Sequence, residues 1–416
     1  MNKTIKLAVA GAVLSAATIA NAGIIIPAGE WTVDLSGNVN TFANFSNTDI
    51  STHTVTGGLA FSKAAGAEER DTTFSTGLLP NFLSFAGTTR QNDLDVTWLI
   101  SINPGGSQAG ALNGGSGTEH RQAFLTFGDK SWGTVKVGKD LGLFGSTAIL
   151  NDITLLGVGG AHVRAGTHTT TLGGIGSGYI YADWRTQISY TTPNMNGFQL
   201  SVSANQPWSP DSNSAATLAA AGVAGLARGD RATPGFESQA SYTANVGAGS
   251  VKFFAGYMHE SQDDMTAAGV TTKTDVDTSA AEVGVTASLG NIGLVAYYYD
   301  GEGVGTTAKL SQGIAKVGST LVGRDSDGGY VQATYVIPTG TKLGAAYGVS
   351  NLDVATGESK TANDTVMENN RWTVGAYHPL TKHLNLVAEY NKMEAKAHDG
   401  GTNESDAISL GAILFF

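Results

Sequence analysis

The chain has 416 residues, of which 56 are glycine, 9 proline and none cysteine; charged residues make up 14% and the formal net charge is −11. Without cysteine, disulfides and thiolate metal sites are excluded, and an acidic balance disfavours nucleic acid and anionic lipid surfaces as partners. Length alone suggests about two or three domains, but large β-barrels are an exception to that count.

The first segment, MNKTIKLAVAGAVLSAATIANA, sets Lys3 and Lys6 ahead of an apolar run from Leu7 to Ile19 and closes on Ala20-Asn21-Ala22. That order reads as a secretory signal peptide, 1–22, cut after Ala22. Its apolar core is too short to span a hydrocarbon layer of about 30 Å as a helix. Without the two lysines the formal −11 becomes −13. After Ala22 no apolar run of about 18 residues or more follows, which excludes a helical membrane protein.

From Glu30 onward the pattern has period two. Trp31, Val33, Leu35, Val39, Ala43 and Phe45 alternate with Thr32, Asp34, Ser36, Asn38, Asn40 and Asn44. This predicts a strand with one apolar and one wet face. The pattern returns at Leu94–Ile102, Trp184–Tyr190, Phe198–Val202, Val283–Ala287 and Leu384–Ala388. Seven tight connections, near 87–92, 128–133, 192–197, 245–250, 289–291, 337–341 and 378–383, alternate with eight long ones, near 47–73, 104–119, 140–180, 208–233, 261–276, 302–325, 354–367 and 397–404. The spacing predicts an all-β fold of 16 antiparallel strands over 23–416, with short turns at one rim and long loops at the other, which is the pattern of a transmembrane β-barrel. Strands of roughly 9–14 residues are long enough to cross a bilayer when tilted. A soluble sandwich asks for shorter ones, of about 5–6.

One long connection stands apart. Over 139–183 the alternation stops, yet Leu141, Leu143, Phe144, Ile149, Ile153, Leu155 and Leu156 need burial. A connection this long carries function or disorder, and its composition predicts that it folds back into the lumen and narrows it. At the other end, Ile408, Leu410, Ala412, Leu414 and Phe416 share one apolar face. A barrel lacks edges only if this strand pairs with the first, near Trp31–Phe45.

Four places resemble the general Gram-negative porins: RQAFLTFGDKSWGTVKVGKD (121–140), NDITLLGVGG (151–160), YADWRTQISYTTPNMNGFQLSVSAN (181–205) and the final Phe416. The resemblance implies a 16-stranded, water-filled barrel of the outer membrane, a homotrimer put in place by the barrel-assembly machinery, with Phe416 as assembly signal. It implies passive diffusion of ions and small hydrophilic solutes past a third loop whose acids face basic residues on the wall. Carried over by position, Lys139 stands at the family's Gly-Arg, Arg185 at a wall arginine and Asp152 at the loop acid. Asn38 and Phe82 stand where wall cations are expected, and Gly157 where a second loop acid is expected, so this constriction is read as setting width more than charge.

Alternation supports part of that assignment. Arg185 shares a face with Gln187 and Ser189, opposite Trp184 and Ile188, and Lys136 alternates with Val135 and Val137; both are expected in the lumen. On lipid at the midplane Arg185 would cost about 2–4 kcal/mol. Lys139 falls on the outward face and lines the pore only if Gly138 or the strand end breaks the alternation.

Competing signals are weaker. GGIGSG (173–178) has dinucleotide spacing but no βαβ context. His120, His162 and His168 lack metal-ligand spacing. Asp263-Asp264 and Asp325/Asp327 read as solvated loop charge or as Ca²⁺ ligands. No G-x-S-x-G elbow marks an enzyme, and no cofactor or metal is expected. The runner-up function is a substrate-selective channel, which asks for an aromatic track in the lumen, where Phe124 is the one candidate found. A non-conducting adhesive barrel asks for apolar or repeated loops, which are not seen. The net charge leans toward cations, although most of it lies in loops.

Overall fold

A computed structural model describes residues 23–49, 53–60, 69–106, 117–160, 170–208, 223, 226, 232–270, 273–308 and 310–416. The expected leader, 1–22, lies outside them. Nineteen strand segments form one sheet. Arg70–Ser75 and Phe82–Gln91 are halves of one strand, as are Thr118–Glu119 and Ala123–Asp129, and Ile24–Ala28 is a separate addition. What remains is a closed 16-stranded antiparallel barrel. It closes where Trp31–Thr48 pairs with Thr402–Phe415, from Asn38 opposite Phe415 to Thr48 opposite Ser405. Phe416 finishes the seam: its N–H donates to Gly37 O at 3.0 Å, and Gly37 N–H donates to Phe416 O at 2.8 Å.

Alternation sets the two faces. In Trp184–Thr191, Ile188 is 61% exposed while its neighbours Gln187 and Ser189 are buried. The outward set includes Val39, Phe85, Ile100, Val283, Leu294, Val331, Val374 and Ile408, an apolar band of the kind that faces lipid. Inward positions are Asn, Ser, Thr, Gln and Glu on most strands, because that face meets water or polar partners.

Tight turns join strands at one rim. The first is displaced from its expected place at 87–92: Phe82–Gln91 stays in the ladder and the turn falls at Asn92-Asp93. Both take positive φ, 48° and 63°, as a two-residue hairpin turn matched to strand twist requires. At the opposite rim the loops fold over one another. Val366 N–H donates to Thr56 O at 2.9 Å, and Val55, Leu59 and Ala60 pack on Leu352, Met393 and Ala395. The connection near 302–325 contains a small hairpin, Ile314–Val317 with Thr320–Gly323.

The second barrel strand leaves the wall between Ser75 and Phe82. Pro80 has no N–H for a ladder, and the first strand holds the detour inward. Asn38 Nδ2 donates to Pro80 O at 2.9 Å, Asn40 Nδ2 to Leu79 O at 3.0 Å, and Gly77 N–H to Asn40 Oδ1 at 2.9 Å.

Candidate pore constriction

The strand Gly133–Leu141 does not turn back at its end; the described residues that follow, 142–160 and 170–183, lie along the inner wall, and Trp184 opens the next strand. Gly145 takes φ +80°, a conformation side chains rarely adopt, and turns the chain into the helix Ser146–Asn151. Six residues do not make a stable helix alone. This one holds because Phe144, Ala148 and Ile149 are buried in one cluster with Phe254, Met258, Tyr297 and Tyr330 of the wall. Side chains the size of Phe144 and Ile149 contribute about 1.5–3 kcal/mol each on full burial. Tyr330 Oη donates to Ala148 O at 2.8 Å. Asp152 then caps the 3₁₀ turn Ile153–Leu156, accepting from Thr154 N–H at 2.9 Å.

Side chains of the wall fix the backbone of this segment. Glu237 Oε2 accepts from Leu143 N–H at 2.6 Å and Phe144 N–H at 3.2 Å. Glu282 Oε2 accepts from Gly145 N–H at 2.9 Å. Gln332 Oε1 accepts from Ile153 N–H at 2.6 Å, and Glu389 Oε2 from both Val158 N–H and Gly159 N–H at 2.9 Å. On the return, Ser350 Oγ accepts from Gly178 N–H at 2.9 Å. The wall detour joins in, with Leu78 N–H donating to Gly157 O at 2.8 Å and Thr171 N–H to Gly77 O at 3.0 Å. The stretch GGIGSG forms turns here, and Gly174 N–H donates to Asp152 Oδ2 at 2.8 Å.

The four residues expected at the constriction do not come together. Arg185 faces inward and is 2% exposed. It pairs with Glu237 at 3.0 Å and with Glu260, donates to Gln206 O at 2.7 Å, and lies 4.2 Å from the ring centre of Trp208. Asp152 does not face it. The Asp152 carboxylate takes Tyr179 Oη at 2.7 Å and lies 3.6 Å from Arg371, whose Nη1 donates to Thr373 Oγ1 at 2.7 Å. Lys136 also faces inward, paired with Asp140 and 5.0 Å from the Phe124 ring centre. Lys139 is the correction: it stands opposite Ala123 and Thr186, both exposed, and its Nζ donates to His120 O at 2.9 Å. Register runs unbroken through Gly138, so Asp140 takes the inward position instead.

Charge is also distributed differently from what the resemblance implies. The carboxylates that face the loop, Glu237, Glu282 and Glu389, stand on the wall. A Cβ at Gly157 would overlap the Glu389 carboxylate, so a second loop acid has no room where one was expected. The scarcity of lumenal aromatics is likewise corrected. Phe254, Tyr297, Tyr299 and Tyr330 lie in a row on the inner wall, with ring centres 6.2 Å apart for Phe254–Tyr297 and 5.9 Å for Tyr297–Tyr330. All four are buried under the loop, so they pack it and present no open track. His162 and His168 lie outside the described residues.

Comparisons with known proteins bear on this geometry. A family profile described as Gram-negative porin matches residues 7–398. The chain is similar to the outer membrane channel DcaP of Acinetobacter baumannii, with 17% identity over 94% of this chain and 99% of that one and a TM-score of 0.66. It is similar to Salmonella typhi OmpF, solved as a complex with daunomycin, at 14% identity over 94% and 100% of the two chains, TM-score 0.57. A trimer form of in-vitro folded OmpT, an outer membrane protein of Vibrio cholerae, is similar at 14% identity over 93% and 99%, TM-score 0.51. At such identities these likenesses speak for the fold. Among curated sequences no match is found.

Proposed function

Because the chain belongs to the Gram-negative porin family, we propose that its third loop is a fixed diaphragm, held by the wall, that selects solutes by width. The protein is an outer-membrane porin, a water-filled channel for passive diffusion of ions and small hydrophilic solutes. The observation that carries the diaphragm is the set of wall carboxylates accepting from loop N–H groups at both ends, Leu143 to Gly145 and Val158 to Gly159. Arg185 serves it through Glu237, and Asp152 through Arg371. Lys136 and Asp140 border the opening as a local pair, so neither sign dominates there. The reading assigns no catalytic step.

Two further parts complete the reading. Export removes 1–22 by a cut after Ala22, and Phe416 on the closing strand is the signal for barrel assembly. The working unit is a homotrimer, a reading supported by the trimer form of in-vitro folded OmpT of Vibrio cholerae; migration as a heat-labile oligomer on a mild detergent gel tests it. Purified protein in a planar bilayer tests the whole. Stepwise conductance with a reversal potential near zero in a salt gradient is expected. A strongly ion-selective channel would overturn selection by width, and conductance untouched in Arg185→Ala would remove Arg185 from the constriction.

A further inference from the structure

The short strand Ile24–Ala28 occupies a particular place on the closing seam. On one edge of Trp31–Thr48, the last strand reaches down to Asn38, opposite Phe415; Ile24–Ala28 then takes over, from Ile24 opposite Leu35 to Ala28 opposite Trp31. The two segments lie end to end along the same edge. All five residues of Ile24–Ala28 are exposed, so little apolar burial holds the segment there, and its ladder runs along one edge only, against a strand that Phe82–Gln91 already pairs on the other side.

The residue before it meets a carboxylate. A Cβ built on Gly23 would lie 2.5 Å from Asp34 Oδ1 and 2.8 Å from Oδ2. The carboxylate therefore stands directly over the Gly23 Cα, and any side chain at 23 would collide with it. Asp34 Oδ1 is buried and has no hydrogen-bond partner among the described residues. Asp34 lies opposite the buried Ala86 and in step with Asn38, on the inward face at the short-turn rim. Buried polar groups are ordinarily satisfied, so this oxygen points to a donor that the wall itself does not supply.

We propose that leader removal makes that donor. The Gly23 nitrogen is about 1.5 Å from its Cα, and in the uncut chain it is a peptide N–H. Hydrolysis of the Ala22–Gly23 bond adds the water hydroxyl to the Ala22 carbonyl carbon and leaves the nitrogen as an ammonium with three donors. That ammonium pairs with Asp34, clamps Ile24–Ala28 onto the first barrel strand, and seals the closing seam down to the rim. The proposal rests on the reading that export cuts after Ala22.

Four mature proteins purified from outer membranes test it: wild type, Asp34→Asn, a chain with one serine inserted between Ala22 and Gly23, and the combination. Intact mass gives the first residue, and hydrogen exchange reads the amides of Ile24–Ala28. Wild type should begin at Gly23. Asp34→Asn and the insertion should each speed exchange by about tenfold, and the combination no further, because each removes one half of the same pair. A wild-type chain beginning elsewhere overturns the cleavage reading and the pair together. A chain beginning at Gly23 in which the two changes are additive, or without effect, overturns the pair and leaves the cleavage reading standing.

Discussion

Glu237 and Glu389 hold the two ends of the same loop with different neighbours. Glu237 accepts two loop N–H groups and pairs with Arg185, which also carries Glu260 and rests on Trp208. Glu389 accepts two loop N–H groups, Tyr377 Oη at 2.5 Å and Asn391 Nδ2 at 3.3 Å, with no ion pair among the described residues. A buried carboxylate can thus be met by a cation or by a fan of neutral donors. The first solution is strong but brittle, because removing the cation strands two acids. The second spreads the load over four donors, none of which is indispensable.

The largest expected effect tests the brittle end. Arg185→Ala should destabilise the barrel by about 3–5 kcal/mol, since one partner of a buried pair is removed and the charges opposite remain. Thermal unfolding followed by circular dichroism measures it. Adding Glu237→Gln and Glu260→Gln should recover much of the loss, and no recovery would mean that Arg185 does more than neutralise. At the other end Glu389→Gln should cost about 1–3 kcal/mol, the range for leaving buried donors unmet. Open-channel current noise should rise as Val158–Gly159 loosens; a quiet variant would show that Glu389 is no anchor.

A third contrast lies at the loop rim, where Arg324 grips Glu358 through Nε at 2.9 Å and Nη2 at 2.5 Å. Burial alone would raise the Glu358 carboxyl, but hydrogen bonds from Arg324, Ala355 N–H and Asn363 outweigh it and hold it below the usual carboxylate range. Burial likewise holds the His398 imidazole below its ordinary value, with Glu358 opposing and Arg324 and Lys360 adding to the shift. Both folded values are lowered, so the opened loops bind more protons and closure is favoured as pH rises. Protection of 353–365 and 398–401 should be full above the ordinary imidazole value and fall on acidification, first through His398 and then through Glu358. Hydrogen exchange over a pH series measures this, and a flat profile would separate the rim from these two groups. The smallest effect belongs to Lys136→Ala: the lysine is partly exposed and the buried Asp140 keeps the hydrogen bond from Gln122 Nε2 at 2.9 Å, so the cost should stay at about 1 kcal/mol. Unfolding should barely move while the reversal potential shifts toward cations.

The barrel was legible because period-two alternation is a direct image of its two solvents. Ile188 out and Gln187 in follow from the same rule as the other strands. The loop's need for burial was equally plain from Phe144 and Ile149. Its partners were not, because Glu237, Glu282 and Glu389 are remote in sequence from the amides they meet. Parity still carried a signal: Glu282 precedes outward Val283 and Glu389 follows outward Ala388, so both acids had to face in. The aromatic row is hidden for a simpler reason: Phe253-Phe254 and Tyr297-Tyr298-Tyr299 put rings on both faces of their strands, so the period-two contrast that marks an inward set is absent there. Lys139 shows the opposite lesson, since alternation placed it outward and only the positional analogy drew it into the pore.

Apart from the side chains packed on the aromatic row, most of the hydrogen bonds by which the wall holds the loop go to main-chain atoms: Leu143, Phe144, Gly145, Ile153, Val158, Gly159 and Gly178 all donate from their backbone nitrogens. Anchors of that kind are indifferent to which side chain a position carries, provided the path of the chain is kept. Residues of the loop that are neither packed on the aromatic row nor pressed against an anchor are therefore free to be exchanged. The size of the aperture can drift under selection, or be redrawn by design, while the frame that holds it stays untouched.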